Sequence, residues 1–150
     1  MSDIALGPAL PAMSDDALAK VRTLETALLA APQTDLSTDH LLHAGMYART
    51  ICIPAGTALT GALIKRATVL IVNGHATVYT GDGTLELAGH HVLPASAGRK
   101  QAFIAHADTW LTMIFPTQAV TVEEAEAEFT DEADRLLSRA GVNTIRITGE

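Results

Sequence analysis

Thiols are almost absent: Cys52 is the only cysteine in 150 residues. An intramolecular disulfide framework is therefore excluded, as is any zinc site built from several thiolates. Basic residues are scarce, 10 Lys and Arg against 17 Asp and Glu, for a formal net charge of -7. Gripping duplex nucleic acid needs clustered cations to replace counterions, and this balance argues against it. There is no uninterrupted apolar run of about 18 residues, the length a membrane-spanning helix needs. The N-terminal stretch lacks a positive region, and Pro8 and Pro11 break its apolar part, so it does not read as a secretory signal. What is present is a 48% apolar fraction with 18% charged residues. That composition excludes wholesale disorder. The length suits one domain able to bury a sizeable core. The expected setting is a reducing cytoplasm, with Cys52 a free, buried thiol.

The patterning divides the chain. Residues 1–13 are small and Pro-containing and read as an extended arm. Ser14 is a good N-cap, with Asp15 and Asp16 in the first turn where acids favour the helix dipole. Leu18, Val21, Leu24 and Leu28 then recur at helical spacing until Pro32. This predicts a helix over 15–31, within a unit spanning 14–32. From 40 to 117 the punctuation is glycine and proline, and the segments 47–53, 68–72, 76–80, 84–87 and 109–115 are rich in β-formers. Short strands separated by turn signals indicate a sandwich or barrel. Asn73-Gly74 and Asp82-Gly83 read as hairpin turns. Thr121 followed by Glu124 forms a capping-box pattern, opening a helical segment over 121–140 with a break at 130–132. The tail, 141–150, alternates at Ile145 and Ile147 and suits either an added strand or a docking tail.

Several segments of the β region carry a family resemblance. They are Gly45-Met46-Tyr47-Ala48-Arg49, Ile53-Pro54-Ala55-Gly56-Thr57, Thr60-Gly61, then Pro94, Gly98-Arg99-Lys100 and Ala105-His106-Ala107-Asp108-Thr109-Trp110-Leu111-Thr112. Over residues 40–117 the chain resembles the cupins, and more narrowly the short cupin-like proteins of tailed phages and prophages. The resemblance implies a jelly-roll barrel. The expected fold is mainly β: a cupin-type barrel flanked by an N-terminal helix and a C-terminal helical segment.

The resemblance also implies where a metal would sit, and those positions lack ligands. Cupin enzymes use His-x-His and Glu between two glycines, best matched here by Gly56 and Gly74. Residues 57–73 between them hold no His, Glu, Asp or Cys. The slots read Ile64-Lys65-Arg66-Ala67, and cationic side chains are poor ligands for a divalent ion. The later histidine position falls at about Gln101. No cofactor and no metal are therefore expected.

Other constellations are weak. His43, His91 and His106 could meet in a folded barrel, but no ligand pair has recognised spacing. Ser96, His91 and Asp108 could be drawn as a triad, yet no nucleophile-elbow pattern surrounds Ser96. No catalytic residue is assigned.

Two functions are expected, in order. The first is a non-enzymatic assembly protein, a phage virion component such as a capsid decoration or tail accessory protein. It would form homo-oligomers and meet other virion proteins, in the producing cell's cytoplasm or in the virion. Neither nucleic acid nor membrane is an expected partner. The apolar stripe Val122, Phe129, Leu136, Leu137 must be covered by the barrel or by another subunit. With Trp110, these are the interface candidates. The alternative is a metal-independent cupin binding a sugar or anion, conceivably an isomerase. Lys65, Arg66, His91 and His106 would line its pocket.

Overall fold

The computed structural model describes residues 7–139 and 141–148. Residues 1–6 of the expected arm, residue 140 and the last two residues of the tail lie outside the described residues. Helix α1, Asp15–Leu29, is capped by the Ser14 hydroxyl, which accepts from the Ala17 N–H at 3.1 Å. Eight strands follow the expected β character: β1 Thr38–His43, β2 Met46–Ile53, β3 Ala58–Thr60, β4 Thr68–Tyr79, β5 Thr84–Ala95, β6 Ala102–Ala105, β7 Thr109–Pro116 and β8 Asn143–Ile147. Helix α2, Val122–Phe129, lies between β7 and β8. Thr121 caps it by accepting from the Glu124 N–H. The helix ends at Phe129, and two single 3-10 turns replace the rest of the predicted helical segment.

The sheet curls into a jelly-roll barrel because β4 belongs to two halves at once. One edge of β4 pairs with β5 along its whole length. The other edge pairs with β7 at Val69–Asn73 and with β6 at Ala76–Tyr79. The larger half therefore runs β5-β4-β7-β2-β1-β8, and the smaller runs β5-β4-β6-β3. Strand β8 adds in parallel to β1, which settles the tail as a strand over its described residues. Asp82-Gly83 does form the β4–β5 turn. Asn73-Gly74 does not form a turn. It sits inside β4, where Gly74 (φ +147°) faces Gly89 (φ +88°) on β5 at the point where the pair passes from one half to the other. Only a residue without Cβ fits there, since a Cβ on Gly74 would lie 2.6 Å from the Asp108 carbonyl oxygen.

Period-2 alternation supplies the core. Leu70, Val72, Ala76 and Val78 of β4 point inward, with Leu87 and Leu93 of β5 and Leu111, Met113 and Phe115 of β7. Helix α1 lays Ala17 and Val21 on Ala102, with Met13 beside them. The arm docks too: Leu10 is fully buried and exchanges backbone hydrogen bonds with Pro94 and Ser96. No helix among the described residues is long and apolar enough to cross a membrane.

Candidate functional site

The barrel holds a cavity of about 180 Å³, half open to solvent. A cavity of about 150 Å³ is enough to hold a benzene-sized guest. Its walls are apolar strand residues, Ile51, Leu59, Leu70, Phe103, Leu111 and Met113. Its rim is charged. Glu25 comes from α1, Arg49 from β2, Arg99, Lys100 and Gln101 from the turn before β6, and Glu132 and Arg135 from the C-terminal segment. The two flanking helical segments thus close one end of the barrel with polar groups.

Each buried cation at this rim has a different partner. Arg49 sits on the inward face of β2 and meets Glu126 of α2 at 2.8 Å. Glu126 is itself buried and also accepts from Arg139 Nε at 2.8 Å and from the Ser138 hydroxyl. Lys100, fully buried, meets Glu25 at 2.8 Å and donates to the Gly61 carbonyl at 2.8 Å. Arg99 differs: only 1% exposed, it has no carboxylate partner among the described residues. It donates from Nε to Gln101 Oε1 (2.8 Å), from Nη1 to the Ser96 carbonyl (2.6 Å) and from Nη2 to Thr68 Oγ1 (2.8 Å). Burial pulls the Arg99 pKa down to about 10, which leaves the guanidinium charged at neutral pH.

Gln101 completes the arrangement. Arg99 can only donate, so Gln101 must present its oxygen there, which fixes the orientation of the amide. The Gln101 Nε2, with two N–H groups, is then buried without a partner. A buried donor left unmade costs about 1–3 kcal/mol, and a buried charge met only by neutral acceptors keeps part of its desolvation cost. Both deficits line the same cavity.

The residues expected to line a pocket lie elsewhere. Lys65 is exposed and paired with Asp131 at 2.6 Å, and Arg66 pairs with Glu128 and stacks over Phe115. His91 hydrogen-bonds to the Ala88 carbonyl at 2.9 Å. His106 stands on the outer face beside His75. His43 is paired with Thr148, and among the described residues His106 clusters with His75 and Glu86, not with His43 or His91. The triad does not assemble either: Ser96 is exposed, and Asp108 accepts from the Ala55 N–H instead. Among the interface candidates, Phe129 is buried in the barrel's own core, Leu136 is half-buried against it, and Val122 is buried. Their apolar stripe is spent inside the chain. Trp110 is 49% exposed. The Leu137 side chain lies outside the described residues. Sequence reasoning placed Gln101 in the histidine slot and stopped there. Arg99, which nothing in the sequence assigned to a site, was the missed residue.

Beside the cavity, His40 is buried between Tyr47 (Nδ1 to OH, 2.7 Å) and Asn143 (Nε2 to Oδ1, 2.6 Å). Burial lowers its pKa below 6.5 and Arg49 adds to that, while the Asn143 hydrogen bond and the Glu126 and Asp39 charges pull upward. Its neutral form is the native one. A lowered folded value means stability is complete above pH 6.5 and is lost as pH falls through that lower value. Glu126 acts in the same sense further down. Burial alone would raise it, but Ser138, Arg139 and Arg49 together hold it below 4.5. The urea midpoint should therefore fall in two stages on acidification, first below pH 6.5 and again below pH 4.5. His40→Gln should remove the first stage. A midpoint flat from pH 7 to 5 in the native chain would contradict this account.

No family model matches the chain, and neither does any curated protein. Solved structures similar to it include cupins. One is a cupin superfamily protein from Desulfitobacterium hafniense, with TM-score 0.48 and 16% identity over 61% of this chain and 86% of that one. Another is the ectoine synthase from P. lautus, with TM-score 0.47 and 17% identity over 66% and 76%. A third is a cupin domain of an XRE family transcriptional regulator from Enterobacter cloacae, with TM-score 0.45 and 10% identity over 55% and 99%. Likeness this distant carries no chemistry across. Nothing in these neighbours points to a phage or prophage origin.

Proposed function

We propose that this chain is a small-molecule-binding barrel that takes a carboxylic acid with a compact apolar body. The observation that carries the reading is the buried Arg99, without a carboxylate partner among the described residues, beside a Gln101 Nε2 that also has no partner among them. Arg99 spends Nε, both Nη1 hydrogens and one Nη2 hydrogen on Gln101, Ser96, Arg66 and Thr68, which leaves one Nη2 N–H and the two Gln101 Nε2 N–H groups for a carboxylate that accepts from several donors at once. The apolar walls suit the rest of the ligand. The cavity holds this unpaired cation within a protein of net charge -7, so selectivity for an anion is built locally. The ligand class matches the anion-binding alternative drawn from the sequence, with a different set of residues.

The test is calorimetric titration of benzoate and hexanoate against their neutral amides, benzamide and hexanamide. Carboxylates should bind at least about tenfold more tightly than the amides, because hydrogen bonds to charged groups contribute about 1.5–3 kcal/mol each. Equal affinity for acid and amide would sink the reading, as would binding of neither.

A second reading, assembly into homo-oligomers, is supported by one observation. The outer face of the larger half exposes Met46, Val69, Val92 and Trp110. Scattered exposed apolar residues are ordinary, so this support is thinner than that for the cavity. Sedimentation at micromolar concentration separates the two readings, with a monomer counting against assembly.

A further inference from the structure

His75, Glu86 and His106 meet on the outer face of the barrel, away from the cavity. The β4–β5 register sets Thr77 directly opposite Glu86, with His75 two residues along on the same face. His106 arrives from the turn between β6 and β7. Its backbone N–H donates to the His75 carbonyl at 2.8 Å, and the His75 N–H donates to Thr109 Oγ1 at 3.1 Å. Backbone bonds therefore hold the two histidines side by side, with ring centroids 4.8 Å apart. His75 Nε2 already lies 3.4 Å from Glu86 Oε2. One ligand atom from each of the three residues falls within 4.8 Å of the others. Tetrahedral zinc, with bonds near 2.0–2.1 Å, needs donors about 3.4 Å apart. Exposed side chains can close the remaining gap by small rotamer adjustments.

The Thr77 hydroxyl bridges the site, hydrogen-bonded to Glu86 and to His106 Nε2 (2.7 Å). Such a bridge orients both groups before a metal arrives. We infer that His75, Glu86 and His106 form a binding site for a zinc-type divalent cation, with the open coordination position facing solvent. Two imidazoles and one carboxylate suit a borderline cation better than calcium or magnesium, which prefer all-oxygen shells. The bound ion would tie β4, β5 and the β6–β7 turn together at the bend marked by Gly74. This inference stands apart from the carboxylate cavity, and either can fail without the other.

The test is a zinc titration of the full chain against a chromophoric chelator, with zinc-dependent thermal stabilisation as a second readout. One equivalent should bind, and zinc should raise Tm. His75→Ala, His106→Ala and Glu86→Gln should each weaken binding at least tenfold and remove the Tm shift. His90→Ala, an exposed histidine elsewhere on β5, should leave both unchanged. All are surface substitutions, so the fold should survive them. The inference is overturned if the native chain binds zinc no more tightly than the His75→Ala/His106→Ala double variant. It is equally overturned if Glu86→Gln leaves affinity and Tm shift intact.

Discussion

Replacing Arg99 by methionine should weaken benzoate binding by at least about 30-fold, since losing one member of a buried, hydrogen-bonded charge pair costs about 2–5 kcal/mol. The loss should appear mainly as faster dissociation, because removing a buried hydrogen-bonded charge weakens the bound state more than the encounter. Arg99→Lys separates charge from geometry. Lysine keeps the positive charge but not the planar fork that holds Gln101, Ser96 and Thr68 in place. Its affinity should fall between those of the native chain and the methionine variant. The unliganded fold should lose stability in both variants, because those acceptors lose their donor. Gln101→Leu is the second variant. It removes the unpartnered Nε2 donor together with the oxygen that accepts from Arg99 Nε, so it should cost benzoate about tenfold and the fold about 1–3 kcal/mol, while the Arg99 charge stays in place. Native affinity in both Arg99→Met and Gln101→Leu would show that the carboxylate does not sit where these donors converge.

The largest effect on stability is expected at Gly74. In Gly74→Ala the new Cβ would meet the Asp108 carbonyl oxygen and Thr109 Oγ1, each at 2.6 Å, and Thr109 Cα at 2.7 Å. Two of these atoms are backbone, so no rotamer change relieves the contact. A φ of +147° adds conformational strain for any side chain. Strain and overpacking of about 1–3 kcal/mol each sum to roughly 2–6 kcal/mol. For a chain of this size that is a Tm loss on the order of 5–20 °C. Gly45→Ala is the control. Gly45 also has positive φ, +68°, but nothing lies within 4 Å of its added Cβ. Its cost should stay near 1 kcal/mol, the local strain alone. Urea denaturation of both variants checks the pair. Equal midpoints would mean that β4 can bend without the close approach of the β6–β7 turn.

His75 shows why part of the outer cluster was readable and part was not. Taking Asp82-Gly83 as a two-residue hairpin loop puts His75 and Glu86 on one face but pairs Thr77 with Ala88; the actual loop spans residues 80–83, and that longer loop sets Thr77 opposite Glu86. Nothing in the local pattern brings in His106, which is 31 positions away and arrives through the crossover of the barrel. The same holds for the cavity. The absence of ligands from residues 57–73 was visible, as was glutamine in a slot where the family resemblance would put histidine. That Arg99 is buried, and that no carboxylate among the described residues pairs with it, follows from how the arm, α1 and the C-terminal segment pack on the barrel. Charged residues in a turn ordinarily face water, and local pattern cannot signal the exception.

The sequence by itself determined the elements whose signals are local: the Ser14 cap and helix α1, the Thr121 cap of α2, the mainly β middle and the Asp82-Gly83 turn. These depend on hydrogen bonds and periodicities spanning only a few residues. Only the tertiary structure decided that Asn73-Gly74 is a bend inside one long strand and that α2 stops at Phe129. It also decided that the apolar stripe of α2 is covered by its own barrel, and that Arg49, Arg99 and Lys100 face inward with different partners. Those outcomes depend on contacts between residues tens of positions apart. A buried charge is tolerated or not according to what the whole fold brings against it.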